Sequence, residues 1–294
     1  MIDGEQPSAT TVRGLRVLTL NVLSLEHAEG RSRRRVLRRE LRRLRPDLAA
    51  LQEVSRTEAH DQVLDLLGPG YAVIDHPDPS PEGVGAALAS RWPVRDPRRR
   101  QLHVTPRAVD LPWAAVVVAE VLAPAPLGPL LAVHHKPNWQ YGREYEREQQ
   151  AVAAARLVEQ VVGEVGRGDR ELPVVLVGDF DATPDSASIR FWTGRQSLDG
   201  TSVCYQDAWE AIHPGEAGHT FTPGNRLVRD GEMALERGRR IDYVMVRCGD
   251  HGPLLEVTGC QRILDKPVDG VWASDHFGVL ADLQLPPRPI GAWA

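Results

Sequence analysis

Six groups of polar residues in this chain lie at the ends of apolar, strand-like runs. In chain order they are Asn21 after LRVLTL, Glu53 in LQEV, His134 and His135 after LLAV, Asp179 and Asp181 in VVLVGDFD, Asp242 in RIDYVMV, and Asp275 with His276 before FGVLADL. A rigid sheet presents polar side chains where its strands end. We therefore expect these carboxylates, amides and imidazoles to share one cleft.

This set of residue types suits the hydrolysis of a phosphate ester. The negative oxygens of the ester repel nucleophiles, so a divalent cation must neutralise charge and a base must activate water. Mg²⁺ prefers oxygen ligands and keeps several waters, so one or two protein carboxylates are sufficient. Glu53 and Asp275, helped by Asn21, could supply them, and Mn²⁺ could substitute for Mg²⁺.

A histidine could perform the proton transfer, because its intrinsic pKa of roughly 6.5 lies near neutral pH. His276 is the candidate, and a carboxylate such as Asp242 would fix its tautomer. Each residue alone also has an ordinary structural explanation: Asn21 and Asp181 could form turns, and Asp242 could pair with a neighbouring arginine. All of these explanations would have to hold together to remove the site.

The elements that position these residues alternate between strands and a few long helices. Strands are predicted at 16–22, 48–51, 85–89, 114–122, 130–135, 174–178, 241–246 and 277–285, and helices at 32–45 and 144–165. Residues 199–238 show no clear periodicity and are predicted to form surface loops near the site. Several strands follow one another without a helix between them, which favours an α/β sandwich over a βα barrel.

Length and composition predict one domain. The chain has 294 residues, 42% of them hydrophobic, and no linker-like or low-complexity tract divides it. We predict a flexible N-terminal segment at 1–14, a single domain at 15–286 and a tail at 287–294. The protein is predicted to be a monomer.

Charge and cysteine content narrow the function classes. A net charge of -5 argues against an all-over cationic surface that grips nucleic acid. Nine arginines between Arg31 and Arg45 are interpreted as a solvated helix face rather than a nucleic-acid patch. The three cysteines lack metal-site spacing and are expected to be free thiols of a reducing compartment. No apolar run approaches the roughly 18 residues of a membrane span, and we predict a cytoplasmic protein without a membrane partner.

The ordered motifs resemble those of the endonuclease/exonuclease/phosphatase superfamily over about residues 15 to 285. The motifs are LTLNV, LQEV, the HH dipeptide after LLAV, VVLVGDFDATPDS, RRIDYV and WASDHFGVLADL. The resemblance implies a four-layer α/β sandwich with two packed central β-sheets flanked by helices, and metal-dependent phosphoester hydrolysis.

The resemblance also implies roles for individual residues. Asn21, Glu53 and Asp275 match metal-site positions, and Asp179 matches the aspartate that positions or activates the attacking water. His276 matches the acid-base histidine, with Asp242 as its orienting partner. The family's internal histidine usually follows a threonine at a strand end, so His135 is the better match and His134 its neighbour.

One position departs from the family pattern. The family usually has GDFN, with an asparagine that donates toward the phosphate, whereas this chain has Asp181. An ionised carboxylate would repel a phosphoryl oxygen unless a cation or a proton lies between them.

The substrate is less well determined than the reaction. Lys136 and Arg143 could hold phosphate oxygens, and Trp139 or Tyr141 could stack on a base, sugar or ring. We expect a small or soluble phosphorylated substrate, with cleavage of nucleic-acid phosphodiesters as the main alternative. A noncatalytic binding module on the same scaffold is the alternative from another class.

Overall fold

The computed structural model describes residues 12–109, 113–166 and 171–288, and two β-sheets form its centre. Strands and helices are numbered in chain order. The first sheet contains, in spatial order, β12 (Glu256–Ile263), β13 (Gly278–Gln284), β1 (Gly14–Asn21), β2 (Leu48–Ser55), β4 (Val84–Ser90) and β3 (Ala72–Asp75). The second contains β11 (Gly252–Pro253), β10 (Asp242–Gly249), β8 (Val174–Asp179), β7 (Pro129–Lys136), β6 (Ala115–Leu122) and β5 (Val94–Gln101), and β9 (Tyr205–Asp207) pairs with β10.

Helices cover the outer faces of both sheets. The α-helices of the described residues are α1 (Gly30–Leu44), α2 (Gln62–Leu67), α3 (Glu144–Val165), α4 (Ala187–Trp192), α5 (Ala208–Ile212) and α6 (Arg226–Arg229). One apolar core lies between the sheets. A second joins the first sheet to α1 and α2, and a third joins the second sheet to α3 and α4. The predicted fold class, a four-layer α/β sandwich, is confirmed.

The two-residue period of the strands decides which side chains can reach the site. In β7, Leu130 and Ala132 belong to the core between the sheets, whereas Leu131 and Val133 face the α3 layer. The same alternation places Val175 and Val177 of β8 between the sheets. The inward-facing side chains of each strand form a row of alternate residues between the sheets. Polar side chains that follow the last apolar residue of such a row therefore meet at one end of this space.

Helix α1 begins at Gly30 and ends at Leu44, with Arg45 in a left-handed conformation before Pro46. Leu37, Leu41 and Leu44 lie on its buried face. One of its arginines does not lie on the solvated face, however. Arg33 is buried and donates to the carbonyls of Val22, Ser24, His27 and Ala28 at 2.8 to 2.9 Å. The interpretation of the arginine run as wholly solvated is therefore wrong at Arg33.

Several elements differ from those predicted. Strand β3 and the arginine-rich edge strand β5 were not predicted, and β2 extends to Ser55. Strand β12 was also missed. The segment 199–238 contains β9, α5 and α6 rather than loops alone. These short elements have too few residues to show a period, and β5 (VRDPRRRQ) carries the charges that discourage edge-to-edge pairing.

The predicted terminal segments lie largely outside the described residues. Of the N-terminal segment, 1–11 are not described, and of the tail, 289–294 are not described. Within the described ranges, no helix has both the length and the apolarity needed to cross a bilayer.

Candidate active site

A pocket of about 500 Å³ opens at the end of the space between the two sheets. Most of the polar residues predicted to share a cleft line this pocket. They are Asn21, Glu53, Asp179, Asp181, Asp275 and His276, and Lys136 lines it with them. Asp242 lies directly behind His276. The structure therefore brings together residues that are separated by as much as 255 positions in the chain.

Glu53 enters the pocket from an irregular position in β2. The register between β2 and β4 shifts at Gln52 and Val54, and Glu53 between them has a φ of 58°. A β-bulge of this kind redirects a side chain, and a positive φ in a non-glycine residue is strain that the surroundings must hold. The carboxylate accepts from Asn21 Nδ2 at 3.0 Å and from the Ser24 amide at 3.2 Å. Burial and the charge of Asp275 raise the pKa of Glu53.

Asn21 connects the two carboxylates on either side of it. Its Nδ2 donates to Glu53 and also to Asp179 Oδ2 at 3.2 Å, and its Oδ1 accepts from the Leu23 amide at 3.0 Å. The side chain is buried and follows the inward row of β1. An amide held this way fixes the separation of Glu53 and Asp179 without adding charge.

Asp275 is held by a network that reaches distant parts of the chain. Ser274 Oγ donates to the Asn21 carbonyl at 2.7 Å and lies 3.1 Å from Asp275 Oδ1. Asn225, which also caps α6, donates to the carbonyls of Ser274 and Asp275 at 2.7 and 3.1 Å. The partly buried Asp275 therefore lies beside Asn21 and Glu53 in a fixed orientation.

His276 and Asp242 form a buried pair. His276 Nδ1 lies 3.0 Å from Asp242 Oδ2, and His276 Nε2 has no hydrogen-bond partner among the described residues. Burial opposes the charged imidazole, but Asp242 and Asp179 raise the pKa of His276 to about 10. Burial raises the pKa of Asp242, although His276 acts in the opposite direction. At neutral pH the pair is an imidazolium facing a carboxylate.

Lys136 lies between Asp179 and Asp181. Its Nζ is 3.0 Å from Asp179 Oδ2 and also forms an ion pair with Asp181 Oδ2. Although burial alone would raise it, the charges of Lys136 and His276 lower the pKa of Asp179. Burial and the neighbouring Asp179 raise the pKa of Asp181. The cation that Asp181 requires is therefore a lysine of the chain itself.

His134 and His135 do not line the pocket, and the prediction that one of them does is corrected. His134 points between the sheets, where its Nε2 lies 2.7 Å from Gln52 Nε2 and its ring is 4.3 Å from that of His76. His135 points to the opposite face and packs on Phe180 and Trp192. Strand alternation is the reason, because Lys136 is the next inward residue after His134 and is the one that reaches the site.

Glycine at position 178 allows this arrangement. A Cβ at Gly178 would lie 2.1 Å from the carbonyl oxygen of His135, so only glycine lets β8 approach β7 closely before Asp179.

Substitution of His135 by leucine is expected to reduce the sensitivity of the fold to acid. Burial lowers the pKa of His135 to about 3 in the folded protein, whereas an unfolded histidine takes up a proton near 6.5. The unfolded chain thus binds more protons between these values, and stability falls as the pH falls through that window. Urea unfolding from pH 7 to 4 should show a slope shallower by up to about 1.4 kcal/mol per pH unit in His135→Leu.

The control for this change is His251→Leu, because His251 is exposed in the turn after β10. An identical slope in His135→Leu and the wild type would show that His135 is not held neutral by burial.

Two of the four predicted substrate-binding residues line the pocket. Lys136 and Trp139 do so, and Trp139 is 39% exposed at the opening. Tyr141 instead donates to Glu236 at 2.5 Å and lies under the guanidinium of Arg239. Arg143 Nη1 lies 3.8 Å from Glu146 Oε1 at the start of α3, and Arg143 does not line the pocket.

The predicted metal ligands suit a hard divalent cation. Glu53 and Asp275 are close enough that the charge of Asp275 raises the pKa of Glu53. A bound divalent cation would relieve this repulsion between the two carboxylates. A second group of Asp179, Asp242 and His276 also has ligand atoms within 4.8 Å of one another. We favour Glu53 and Asp275 as the metal ligands, because the ligand atoms of the second group already have partners: His276 Nδ1 faces Asp242, and Lys136 contacts Asp179.

Supporting residues from the segment 199–238 were not predicted individually. Thr220 Oγ1 accepts from the backbone amides of Ile241 and Asp242, and its carbonyl accepts from the Phe277 amide. Thr220 therefore aligns the start of β10, which carries Asp242, with the segment before β13, which carries His276. Arg239 is a further pocket residue that was not predicted as part of the site. No local pattern marks Thr220 or Asn225, and only their contacts reveal them.

Comparison with known proteins places this site in context. The family model described as Endonuclease/Exonuclease/phosphatase family matches residues 18–276, and no curated protein sequence matches significantly. An endonuclease/exonuclease/phosphatase from Bacteroides vulgatus has 22% identity and a TM-score of 0.67, with 93% of this chain and 99% of that chain covered.

Two further solved structures have the same fold. D. rerio TDP2 complexed with single strand DNA product has 17% identity and a TM-score of 0.66, covering 92% of this chain and 99% of that chain. The human Nocturnin catalytic domain with bound sulfate anion has 17% identity and a TM-score of 0.69, covering 94% and 97%.

Proposed function

The chain belongs to the endonuclease/exonuclease/phosphatase family and is a metal-dependent phosphoesterase, and we propose that it cleaves a phosphodiester. The proposed substrate carries an aromatic group, such as a nucleobase, beside the scissile phosphate. The observation that carries this proposal is the aromatic and apolar wall of the pocket that contains the acidic and histidine residues.

The wall contains several aromatic side chains. Trp113 and Trp139 line the pocket, and the Trp113 indole is held by a 3.2 Å hydrogen bond from Nε1 to the Val84 carbonyl. Phe221 and Met233 line it as well. Stacking of a base on an aromatic side chain contributes about 1 to 3 kcal/mol and tolerates different bases. Such a wall suits a nucleotide or the end of a nucleic-acid strand.

The charges of the pocket argue against a highly phosphorylated small molecule. Lys136 already contacts two carboxylates, and Arg239 Nε donates to Glu236 at 2.8 Å. Arg239 retains one unpartnered nitrogen, Nη1, among the described residues, and its guanidinium is held 4.4 Å from the Tyr141 ring centroid. That nitrogen could bind a single phosphate oxygen. A substrate with several phosphates would require more free cations than these.

A divalent ion, with Mg²⁺ expected and Mn²⁺ as a substitute, would be held by Glu53 and Asp275 with the help of Asn21. When bound, it would neutralise the phosphoryl oxygens and make phosphorus more electrophilic. The donor set consists of oxygens, which suits Mg²⁺.

The remaining chemistry is assigned to the chain's own side chains. Asp179, held ionised by Lys136 and oriented by Asn21, would orient the attacking water and accept its proton. His276 would act as the donor: Asp242 keeps the imidazole protonated, so Nε2 can give a proton to the leaving oxygen as the bond from phosphorus breaks. The sequence indicated acid-base work for His276 without a direction, and the role proposed here is that of the acid.

A substrate panel with added Mg²⁺ tests the proposal. Bis(p-nitrophenyl) phosphate and a single-stranded oligonucleotide represent diesters, p-nitrophenyl phosphate represents an aromatic monoester, and inositol hexakisphosphate represents a polyphosphorylated small molecule. We expect kcat/KM for the better diester to exceed that for the monoester by at least about tenfold, or about 1.4 kcal/mol. The single strand DNA product bound by D. rerio TDP2 supports including the oligonucleotide. Faster cleavage of either non-diester would contradict the proposal.

Trp139→Ala should raise KM for the best diester by about tenfold and leave kcat within a few-fold. Stacking that is equal in the ground and transition states affects binding alone, and a tenfold change corresponds to about 1.4 kcal/mol. Tyr145→Ala is the matched control, because Tyr145 is an exposed aromatic residue on α3 that does not line the pocket. Steady-state kinetics of both variants decide the point, and equal KM values would remove Trp139 from the substrate site.

A further inference from the structure

The chain contains two lysines and 33 arginines, and one of those lysines is buried in the candidate active site. Lys266 is exposed after β12, whereas Lys136 is 4% exposed. Lysine is a compact point charge, whereas arginine is a planar fork that spreads its charge over several nitrogens. Arginine occupies all but two of the basic positions in this chain. At the point where the two carboxylates converge, however, the chain has the compact ammonium group of Lys136.

The two carboxylates lie close together and are both buried. The Asp181 amide donates to Asp179 Oδ1 at 3.3 Å, and Asp181 has a φ of 51°, which bends the chain so that both side chains meet Lys136. Two like charges in a buried site disfavour each other's ionisation. Lys136 relieves this repulsion by contacting both side chains.

Both members of the Lys136–Asp181 pair depart from the pattern that the family resemblance implies. The resemblance predicts a histidine at the end of β7 and an asparagine after GDF, which are side chains without a permanent charge. In this chain, the residue at the end of β7 that reaches the pocket is Lys136, and the residue after GDF is Asp181. The two departures offset each other in charge, so they are best explained together.

We propose that Lys136 is a resident cation at the Asp179–Asp181 end of the pocket, so that the protein binds a single divalent ion, on Glu53 and Asp275. The proposal rests on the proposed function, in that it assumes a divalent ion in this pocket. A second divalent ion beside Asp179 would have to displace Lys136 or lie against its positive charge. Asp181 is then a structural counter-ion of Lys136 and not a metal ligand.

Calorimetric titration with Mg²⁺ alone tests this arrangement without any substrate. The wild type should bind one ion per chain. Lys136→Met removes the ammonium, leaves Asp179 and Asp181 uncompensated, and should raise the stoichiometry to two. The double variant Lys136→Met with Asp181→Asn should return to one, because one of the two carboxylate charges is gone. Lys266→Met is the matched control and should behave as the wild type.

Asp181→Asn alone keeps the test decisive if Lys136→Met fails to fold, which circular dichroism would reveal. This variant keeps a balanced pair of Lys136 and Asp179, so its Mg²⁺ stoichiometry should stay at one and its affinity within about twofold of the wild type. A fall in affinity of tenfold or more would make Asp181 a metal ligand and overturn the proposal. Two ions in the wild type, or one ion in a folded Lys136→Met, would overturn it as well.

Failure of this inference is distinguishable from failure of the proposed function. If the wild type and Lys136→Met bind the same number of Mg²⁺ ions while diesters are still cleaved, only the inference fails. If one ion binds as expected but no phosphoester in the panel is hydrolysed, only the proposed function fails.

Discussion

Replacement of His276 by alanine is expected to lower kcat for the best diester by about 10²-fold or more, the usual contribution of a positioned proton-transfer group. His276 lines the pocket, and Asp242 holds it at 3.0 Å from the opposite side of the ring. Removal of the imidazole leaves no other histidine of the described residues between Asp242 and the pocket. The KM should change much less than kcat, because the proton is transferred only as the bond breaks.

Two further variants separate the chemical role of His276 from a structural one. His251→Ala removes an exposed histidine and should leave kcat unchanged. Asp242→Asn keeps the shape of the pair but removes the carboxylate that favours the imidazolium, so it should lower kcat while the protein stays folded. A kcat for His276→Ala within a few-fold of the wild type would remove His276 from the proton transfer.

Glu53→Gln is expected to weaken Mg²⁺ binding by tenfold or more, a change of at least about 1.4 kcal/mol. The substitution keeps the size of the side chain but removes one negative charge from the donor set. The single amide oxygen of Gln can accept from Asn21 Nδ2 or from the Ser24 amide, which donate to different oxygens of Glu53, but not from both. Hydrolysis at limiting Mg²⁺ should fall accordingly. Calorimetric titration of Mg²⁺ into the variant gives the affinity directly.

Glu58→Gln is the control for Glu53→Gln, because Glu58 is an exposed glutamate in the loop after β2. The thermal unfolding midpoint of Glu53→Gln in the absence of metal should stay close to that of the wild type, because removal of the repulsion from Asp275 offsets the loss of one accepted hydrogen bond. Mg²⁺ affinity equal to that of the wild type would exclude Glu53 as a ligand.

The sequence predicted the cleft well wherever a site residue follows a long apolar run. Asn21, Asp179 and Asp242 each continue or begin a buried strand, and the structure places them at one end of the space between the sheets. The reason is that a run of apolar residues identifies a buried strand, and strands of one sheet end at a common edge.

The sequence did not predict side-chain direction at the end of β7. Adjacent residues of a strand face opposite sides of the sheet. An error of one position in the assignment of His134, His135 and Lys136 therefore places a side chain in the core beneath α3 instead of in the site. The register that decides this is set by contacts with β6 and β8, which no local pattern contains. Glu53 presents the same difficulty in another form, since its direction depends on a bulge against β4.

Residues that act through long-range contacts could not be predicted at all. Thr220 and Asn225 hold the backbone around Asp242 and Asp275 from a segment without periodicity. The sequence does not distinguish the buried Arg33 from the eight other arginines of the run. Arg33 nevertheless donates to the carbonyls of Val22 and Ser24 in the loop beside the pocket. Composition identifies such residues only as polar. The strand and loop partners of Thr220 and Asn225 are 21 to 50 positions away, and Arg33 also reaches the Ala273 carbonyl, 240 positions away.

The most direct test of the account is the hydrolysis of bis(p-nitrophenyl) phosphate as Mg²⁺ is added to protein that has been freed of metal with a chelator. We expect no turnover above background without metal, and a rate that rises and saturates with Mg²⁺ in the wild type. We also expect a curve displaced to higher Mg²⁺ in Glu53→Gln. Hydrolysis that proceeds equally well with and without a chelator, or a curve unchanged by Glu53→Gln, would contradict it.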